Sequence, residues 1–383
     1  MTARSPDEPY RASTPLELFF DLCFVVAVAQ AAALLHHDVS AAHHIGHAVL
    51  AYAMVFFAIW WAWMNFTWFA SAYDTDDDVY RLTVLVTIVG ALIIAAGIPR
   101  SFTDGDFTVV TVGYTVMRVA NVAQWLRAAW ADPPRRVTDL RYAVGIGVVQ
   151  VGWLLRLLLE PAPWGYAGFV GLVVAELLVP VLAERNAVTT YHPHHIAERY
   201  GLFTLIVLGE SVLAASLAVQ VALDAGAGSS LLPVAACGLV IVFAMWWLYF
   251  DRSAVPLLRR LRTSILWGYG HYFVFTSAAA TGAGIAVTVD RATGAARLSQ
   301  AGAGYALALP VAVYLAAVWL LHVRPHQRGP GLLAYPVAVV LVLLAPVGPA
   351  PYALVAAVAA GLVVVTVLAG RRVPDRLQES PQR

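Results

Sequence analysis

Glu17 and Asp21 stand four residues apart in an apolar stretch, so a helix carrying them presents both on one face. Carboxylates that close repel one another, and such a pair either keeps one proton or takes a cation between its members. Further along, Thr108, Thr111, Thr115, Arg118, Asn121 and Gln124 recur at intervals of three and four, which makes one polar stripe on an otherwise apolar helix. Arg118 cannot shed its charge, so it needs a carboxylate or water. Glu210 and Glu176 lie inside apolar runs of their own and offer the counter-charge. Glu210 is the first expectation for the partner of Arg118, with Glu176 or Asp21 next. A charged centre of this kind either lines a cavity for an ion or small solute or is a buried pair that only sets helix register. The carboxylates suit a cation or proton; Arg118 suits an anion.

The elements that position these groups follow from composition. Of 383 residues, 60% are hydrophobic and 12% charged, and mean hydropathy is +0.73. A soluble domain carries about 25% charged residues. That excludes a soluble enzyme and a disordered chain. With 24 basic and 23 acidic residues there is no basic footprint for nucleic acid. The basic residues are all Arg, and the two cysteines, Cys23 and Cys237, supply neither a disulfide framework nor a thiolate metal site. A membrane-spanning helix needs about 20 mostly apolar residues. Twelve such runs fall near 15–36, 42–70, 80–99, 106–130, 138–159, 163–183, 198–221, 231–250, 262–287, 300–321, 331–347 and 350–370. The expected fold is all-α, a polytopic membrane protein of about twelve spans. At 1.5 Å per residue, Asp21 is about 9 Å into the first helix, Arg118 about 17 Å into the fourth and Glu210 about 18 Å into the seventh.

The arginines orient the spans. With the N-terminus cytoplasmic, 19 of the 24 fall in inner segments and 4 in outer ones, with Arg118 inside a span. The positive-inside rule predicts such a split, with an even span count and both termini inside. A cleaved signal peptide is not expected, because Glu17 and Asp21 sit where its apolar core should be. The chain also repeats itself at an offset of about 190 residues, an interval set by matching Trp60-Trp61 with Trp246-Trp247, Gly97-Ile98 with Gly284-Ile285, and Gly113-Tyr114 with Gly304-Tyr305. Tyr142 with Tyr335, Pro161-Ala162-Pro163 with Pro349-Ala350-Pro351, and Val181-Leu182-Ala183 with Val367-Leu368-Ala369 complete the series. The expected organisation is a cytoplasmic tail at 1–14, six-helix repeats at 15–185 and 198–370, and a cytoplasmic tail at 371–383. Parallel repeats of this kind place transporter sites at the repeat interface. The second copy has lost the polar stripe and the counterpart of Glu176, so one site is expected rather than two.

Other polar groups have plainer readings. His36, His37, His43, His44 and His47 lie between the first two spans, and His192, His194 and His195 precede the seventh. Without cysteine support they read as solvated, and no metal site is expected. His195-Ile-Ala-Glu198 lacks the second His of a zinc-protease motif. His271 reads as a packed polar residue. Trp60, Trp61, Trp63 and Trp68 around Asn65 read as packing and an aromatic belt. Asp74, Asp76, Asp77 and Asp78 read as a solvated turn.

Two stretches carry a resemblance. Pro15-Leu-Glu-Leu-Phe-Phe-Asp-Leu-Cys-Phe-Val-Val-Ala-Val-Ala-Gln30 resembles the opening helix of the bacterial low temperature requirement protein A family. Glu198-Arg-Tyr-Gly-Leu-Phe-Thr-Leu-Ile-Val-Leu-Gly-Glu-Ser-Val212 resembles that family's second signature. The motifs mark Glu17, Phe20 and Asp21 in the first and Glu198, Arg199, Gly209, Glu210 and Ser211 in the second; Cys23 departs from the expected aliphatic residue. The family name records a cold-growth phenotype and implies no reaction. Phe20-Asp21 is also similar to the Phe-Ser-Asp first helix of certain lysosomal and bacterial potassium channels, with Phe in place of Ser.

These readings favour a transporter or channel for an ion or small solute in the bacterial cytoplasmic membrane. Asp21, Arg118, Asn121, Glu210, Ser211, Glu17 and Glu176 are its candidate binding residues. The alternatives are a membrane-embedded lipid-modifying enzyme, or a sensor or assembly factor that carries no flux. No Gly-x-Ser-x-Gly, complete His-Glu-x-x-His or phosphate loop is present, so no catalytic residue is named. No cofactor is expected, the bilayer is the partner, and oligomers are compatible with the sequence.

Overall fold

The computed structural model describes residues 3–5, 8, 11–73, 75–159, 163–224, 226, 231–326 and 330–370. Asp74, Pro161, Ala162, Arg328 and the tail 371–383, with Arg371, Arg372, Arg376 and Arg383, lie outside the described residues. The described residues are helical, without strands. The twelve α-helices are α1 Pro15–Ser40, α2 Ile45–Tyr73, α3 Asp78–Thr103, α4 Thr108–Ala131, α5 Arg136–Arg156, α6 Trp164–Ala183, α7 Pro193–Asp224, α8 Leu232–Phe250, α9 Leu261–Thr293, α10 Gln300–Val318, α11 Ala334–Leu344 and α12 Pro351–Gly370. Each falls on one of the twelve apolar runs.

Among the described residues, ten helical segments are long and apolar enough to cross a membrane. α4 and α11 are not among them. α4 is 24 residues long, but its polar stripe dilutes its apolarity. α11 is only 11 residues long and is extended by short 3-10 turns into an apolar segment over Gly331–Val347. The helix starts carry local signals. Thr14 and Glu17 make a capping box on α1: Thr14 N–H donates to Glu17 Oε2 at 2.8 Å and Glu17 N–H to Thr14 Oγ1 at 3.3 Å. Asp77 caps α3 by accepting from Tyr80 N–H at 2.9 Å, and Ser299 caps α10.

The chain divides into two compact units. The first holds residues up to Leu35, Gly46–Val207 and Val255–Tyr272. Its best-covered helix is α2, whose Trp60, Trp61 and Trp63 are at most 2% exposed. There α3 and α4 touch backbone to backbone. A Cβ on Gly113 would stand 2.6 Å from Gly90 O and Ile94 N, and one on Gly97 would stand 2.8 Å from Val109 Cβ. Small residues at such a seam let two helices approach where lipid supplies no hydrophobic drive. The second unit holds His36–Ile45, Leu208–Ala254 and Phe273 onward. In it α9 and α10 meet closely at Gly284, whose Cβ would lie 2.5 Å from Ala306 O. Tyr314 there donates to Met245 O at 2.9 Å, tying α10 to α8.

Candidate functional site

The first unit contains two buried ionic clusters. The first joins α1, α2 and α7. Arg199 is fully buried and forks onto Asp21, Nε to Oδ2 at 3.0 Å and Nη2 to Oδ1 at 2.6 Å. Its Nη1 reaches Glu17 Oε1 at 3.0 Å. His195 Nε2 lies 3.0 Å from the same oxygen, and Arg11 Nη2 lies 3.8 Å away. Trp63 Nε1 donates to Asp21 Oδ1 at 2.7 Å. Arg11 also donates to the carbonyls of Ala70, at 2.8 Å, and Ser71, which fixes the chain before α1 against the end of α2. Asp21 and Arg199 each lie six residues into helices that begin with Pro15 and Pro193. Both are thus about 9 Å in, and their side chains meet at one depth.

This geometry answers the question posed by Glu17 and Asp21. The cation between them is a guanidinium of the chain itself. Two carboxylates face two arginines, and a bidentate, charge-assisted fork is the strongest arrangement for a buried pair. Phe20, on the same helix, packs on Phe24 and Phe66 with ring centroids at 4.7 and 4.0 Å, and the Arg199 guanidinium lies 5.8 Å from the centroid of Phe66. The reading of the preceding histidines as solvated is corrected: His195 is fully buried and His192 nearly so, its Nε2–H donating to Glu8 O at 2.8 Å.

The second cluster joins α2, α4, α5 and α6. Glu176 is fully buried and accepts four hydrogen bonds. Arg118 Nη2 is at 2.5 Å, Trp61 Nε1 at 2.9 Å, the Tyr114 hydroxyl at 2.7 Å and Trp153 Nε1 at 3.2 Å. The expected Arg118–Glu210 pair is therefore corrected to Arg118–Glu176. Both residues start from the same end of their helices, Arg118 about 15 Å into α4 and Glu176 about 18 Å into α6. They come level because α4 and α6 pack on α5 from either side of it in sequence.

Glu210 lies in the second unit, 8% exposed, and its Oε2 has no hydrogen-bond partner among the described residues. Ser211 donates to Ala278 O at 3.0 Å, and Gly282 seats against it on α9. Gly209 has no neighbour within 4 Å of the place a Cβ would take. Glu198 Oε2 is buried without a hydrogen-bond partner among the described residues. The two signature stretches thus split: Glu17, Asp21 and Arg199 converge in one cluster, while Glu210 and Ser211 belong to the other unit.

Two cavities flank Asn65 in the first unit. One, of about 20 Å³, lies among α2, α3 and α4 and is lined by Asn65, Thr87, Arg118, Asn121 and Gln124 with apolar neighbours. The other, of about 30 Å³, is lined by Asn65, Trp125, Tyr142, Glu184, Thr189 and Tyr269 among others. Each has room for about one or two waters. Asn65 is common to both, and its amide N–H donates to Trp61 O at 2.8 Å. Glu184 sits just past the end of α6, where it accepts from Thr189 N–H and Oγ1, both at 2.8 Å, and from the Tyr142 hydroxyl at 2.9 Å. Burial pushes its carboxyl up from the ordinary value, against the pull of those hydrogen bonds.

Sequence reasoning missed the tryptophans as donors. Trp61 and Trp63 read as packing, yet they hold Glu176 and Asp21. The signal was available, since a buried indole N–H ordinarily finds an acceptor. The acidic turn also differs from a merely solvated one. Asp77 caps α3 and pairs with Arg127 of α4, and these contacts hold its carboxyl well below the usual range. Among the described residues, no group of three His, Cys, Asp or Glu is placed to hold a metal ion.

Comparison with known proteins agrees with the two signatures. No solved structure gives a significant match. An uncharacterized protein, RA0937, of Rhizobium meliloti (strain 1021) is 28% identical over 278 residues, which are 68% of this chain. The chain spans 65% of the length of that relative. Residues 12–369 match the family described as bacterial low temperature requirement A protein (LtrA), and with its many apolar helices the chain is a multi-pass integral membrane protein that belongs to this family.

Proposed function

We propose that this protein carries an ion or small polar solute across the bacterial cytoplasmic membrane. The observation that carries the reading is the pair of cavities sharing Asn65. Glu184 and Thr189, past the end of α6, line one of them, Arg118 at mid-depth in α4 lines the other, and Asn65 stands between the two. A purely structural ion pair needs no cavity beside it. Polar and ionisable groups inside a membrane are costly and ordinarily mark a pathway. Glu210, a buried carboxylate with an unpartnered oxygen, is the second candidate station.

The two six-helix repeats, 15–185 and 198–370, belong to this proposal. Gly97 of α3 seats on α4, and its counterpart Gly284 of α9 seats on α10, which supports the duplication. The excess of arginines in alternate loops supports cytoplasmic termini.

The test is flux in liposomes holding the purified full chain, measured for potassium, sodium, protons and chloride. Asn65→Leu fills the junction and is expected to lower flux at least tenfold, while Glu210→Gln reads the second station. A folded protein silent for every species overturns the reading.

A further inference from the structure

We infer that the cavity among α2, α3 and α4 is a binding site for a small inorganic anion, held by Arg118 with Gln124 and Asn121. This rests on the transport reading only in naming the species carried; the site can be tested without flux.

The argument is a count of donors and charges. Glu176 receives four donors: three neutral ones from Trp61, Tyr114 and Trp153, and one from Arg118. Its charge is therefore shared among four helices. Arg118 gives only Nη2 to that carboxylate. Its Nε and Nη1 are buried and have no hydrogen-bond partner among the described residues, and the residue as a whole is 2% exposed. A buried guanidinium left with free N–H groups carries a heavy desolvation penalty, which an acceptor bearing negative charge offsets best. Among the described residues the Gln124 amide is likewise unpartnered at both Nε2 and Oε1, and Asn121 at Oδ1. Both residues are at most 9% exposed. An amide that hydrogen-bonds nothing can turn over, so either side chain can present N–H to an acceptor.

Three sparsely satisfied side chains thus line one cavity, spaced three residues apart on one face of α4. No carboxylate is among its lining residues. The remaining walls are Thr83, Thr87, Asn65 and apolar side chains, and both threonine hydroxyls are spent on backbone carbonyls of α3. Glu176 meets only Nη2 of the guanidinium from outside this lining, so a cation in the cavity would face Arg118 with no carboxylate beside it, and the electrostatics select an anion. The volume of about 20 Å³ selects a small one, such as a halide or nitrate, over an organic acid. The carboxylates of the other cluster do not compete for this role, because Arg199 and Arg11 already face them.

The experiment is the thermal stability of the detergent-solubilised full chain in sodium chloride or sodium nitrate, replaced stepwise by sodium gluconate at constant ionic strength. A ligand that binds only the folded state raises Tm along a saturating curve. The wild-type chain is expected to show that rise with chloride or nitrate and none with gluconate. Arg118→Gln should abolish it, and Gln124→Met, which keeps size and leaves the Glu176 pair intact, should raise the apparent Kd at least tenfold. A wild-type Tm indifferent to the anion overturns the inference, as does an equal rise in Gln124→Met. Anion-dependent stabilisation without liposome flux supports the site and counts against transport. Cation flux without anion-dependent stabilisation does the reverse.

Discussion

Arg199 Nη2 lies 2.6 Å from Asp21 Oδ1, across 178 residues of chain, and both side chains are fully buried. The contact fastens the start of α7 to the start of α1. Removing one partner strands the other charge, which in a buried pair costs about 3–5 kcal/mol. Arg199→Gln is expected to lower Tm in detergent steeply. The double variant Asp21→Asn with Arg199→Gln should recover part of the loss. No recovery would mean the pair is not the unit of stability.

Glu176→Gln is the corresponding test for the second cluster. A glutamine offers one acceptor oxygen where the carboxylate offers two, and its amide N–H₂ would face the donors of Trp61, Tyr114, Trp153 or Arg118. Expected are a lowered Tm and a changed intrinsic tryptophan emission, since the two indoles bond different oxygens and one of them loses its acceptor. Retained emission and stability would count against the four-donor arrangement.

Gly113→Leu tests the seam that sets the position of the polar stripe. The new Cβ would meet backbone atoms of Gly90 and Ile94 at 2.6 Å, which no side-chain rotation relieves. A destabilisation of about 3 kcal/mol, at the upper end for overpacking, is expected. Gly147→Ala is the control, because nothing lies within 4 Å of its Cβ position. Equal Tm values for the two variants would exclude a tight α3–α4 contact.

Asp77 predicts a pH dependence. Its carboxyl is held below the usual range, first by Arg127 and then by the Tyr80 N–H. A depressed folded-state value means the stabilisation is complete above the unfolded value, about pH 4, and fades as pH falls through the folded one. Asp77→Asn keeps a capping side chain and removes the charge. The Tm gap between wild type and Asp77→Asn should be present at neutral pH and narrow below about pH 4. A gap that widens on acidification would contradict the assignment.

The sequence alone determined the elements. Helix positions were legible because a bilayer demands long apolar runs, and local signals such as Thr14-Pro15-Leu16-Glu17 mark where a helix starts. It also exposed the costly residues, since charges in apolar helices stand out without any structure. Arg118 and its stripe, Glu176 and the Glu17–Asp21 pair were all visible in this way. Only the tertiary structure decided who pairs with whom. Depth along the helices admitted both Glu210 and Glu176 as partners of Arg118, and periodicity says nothing about which helix packs beside another. That choice is made by helix packing, here of α4 and α6 on α5. For the same reason Arg199 was marked by a motif but not joined to Asp21, and the indoles of Trp61 and Trp63 read as bulk until acceptors from α6 and α1 stood beside them.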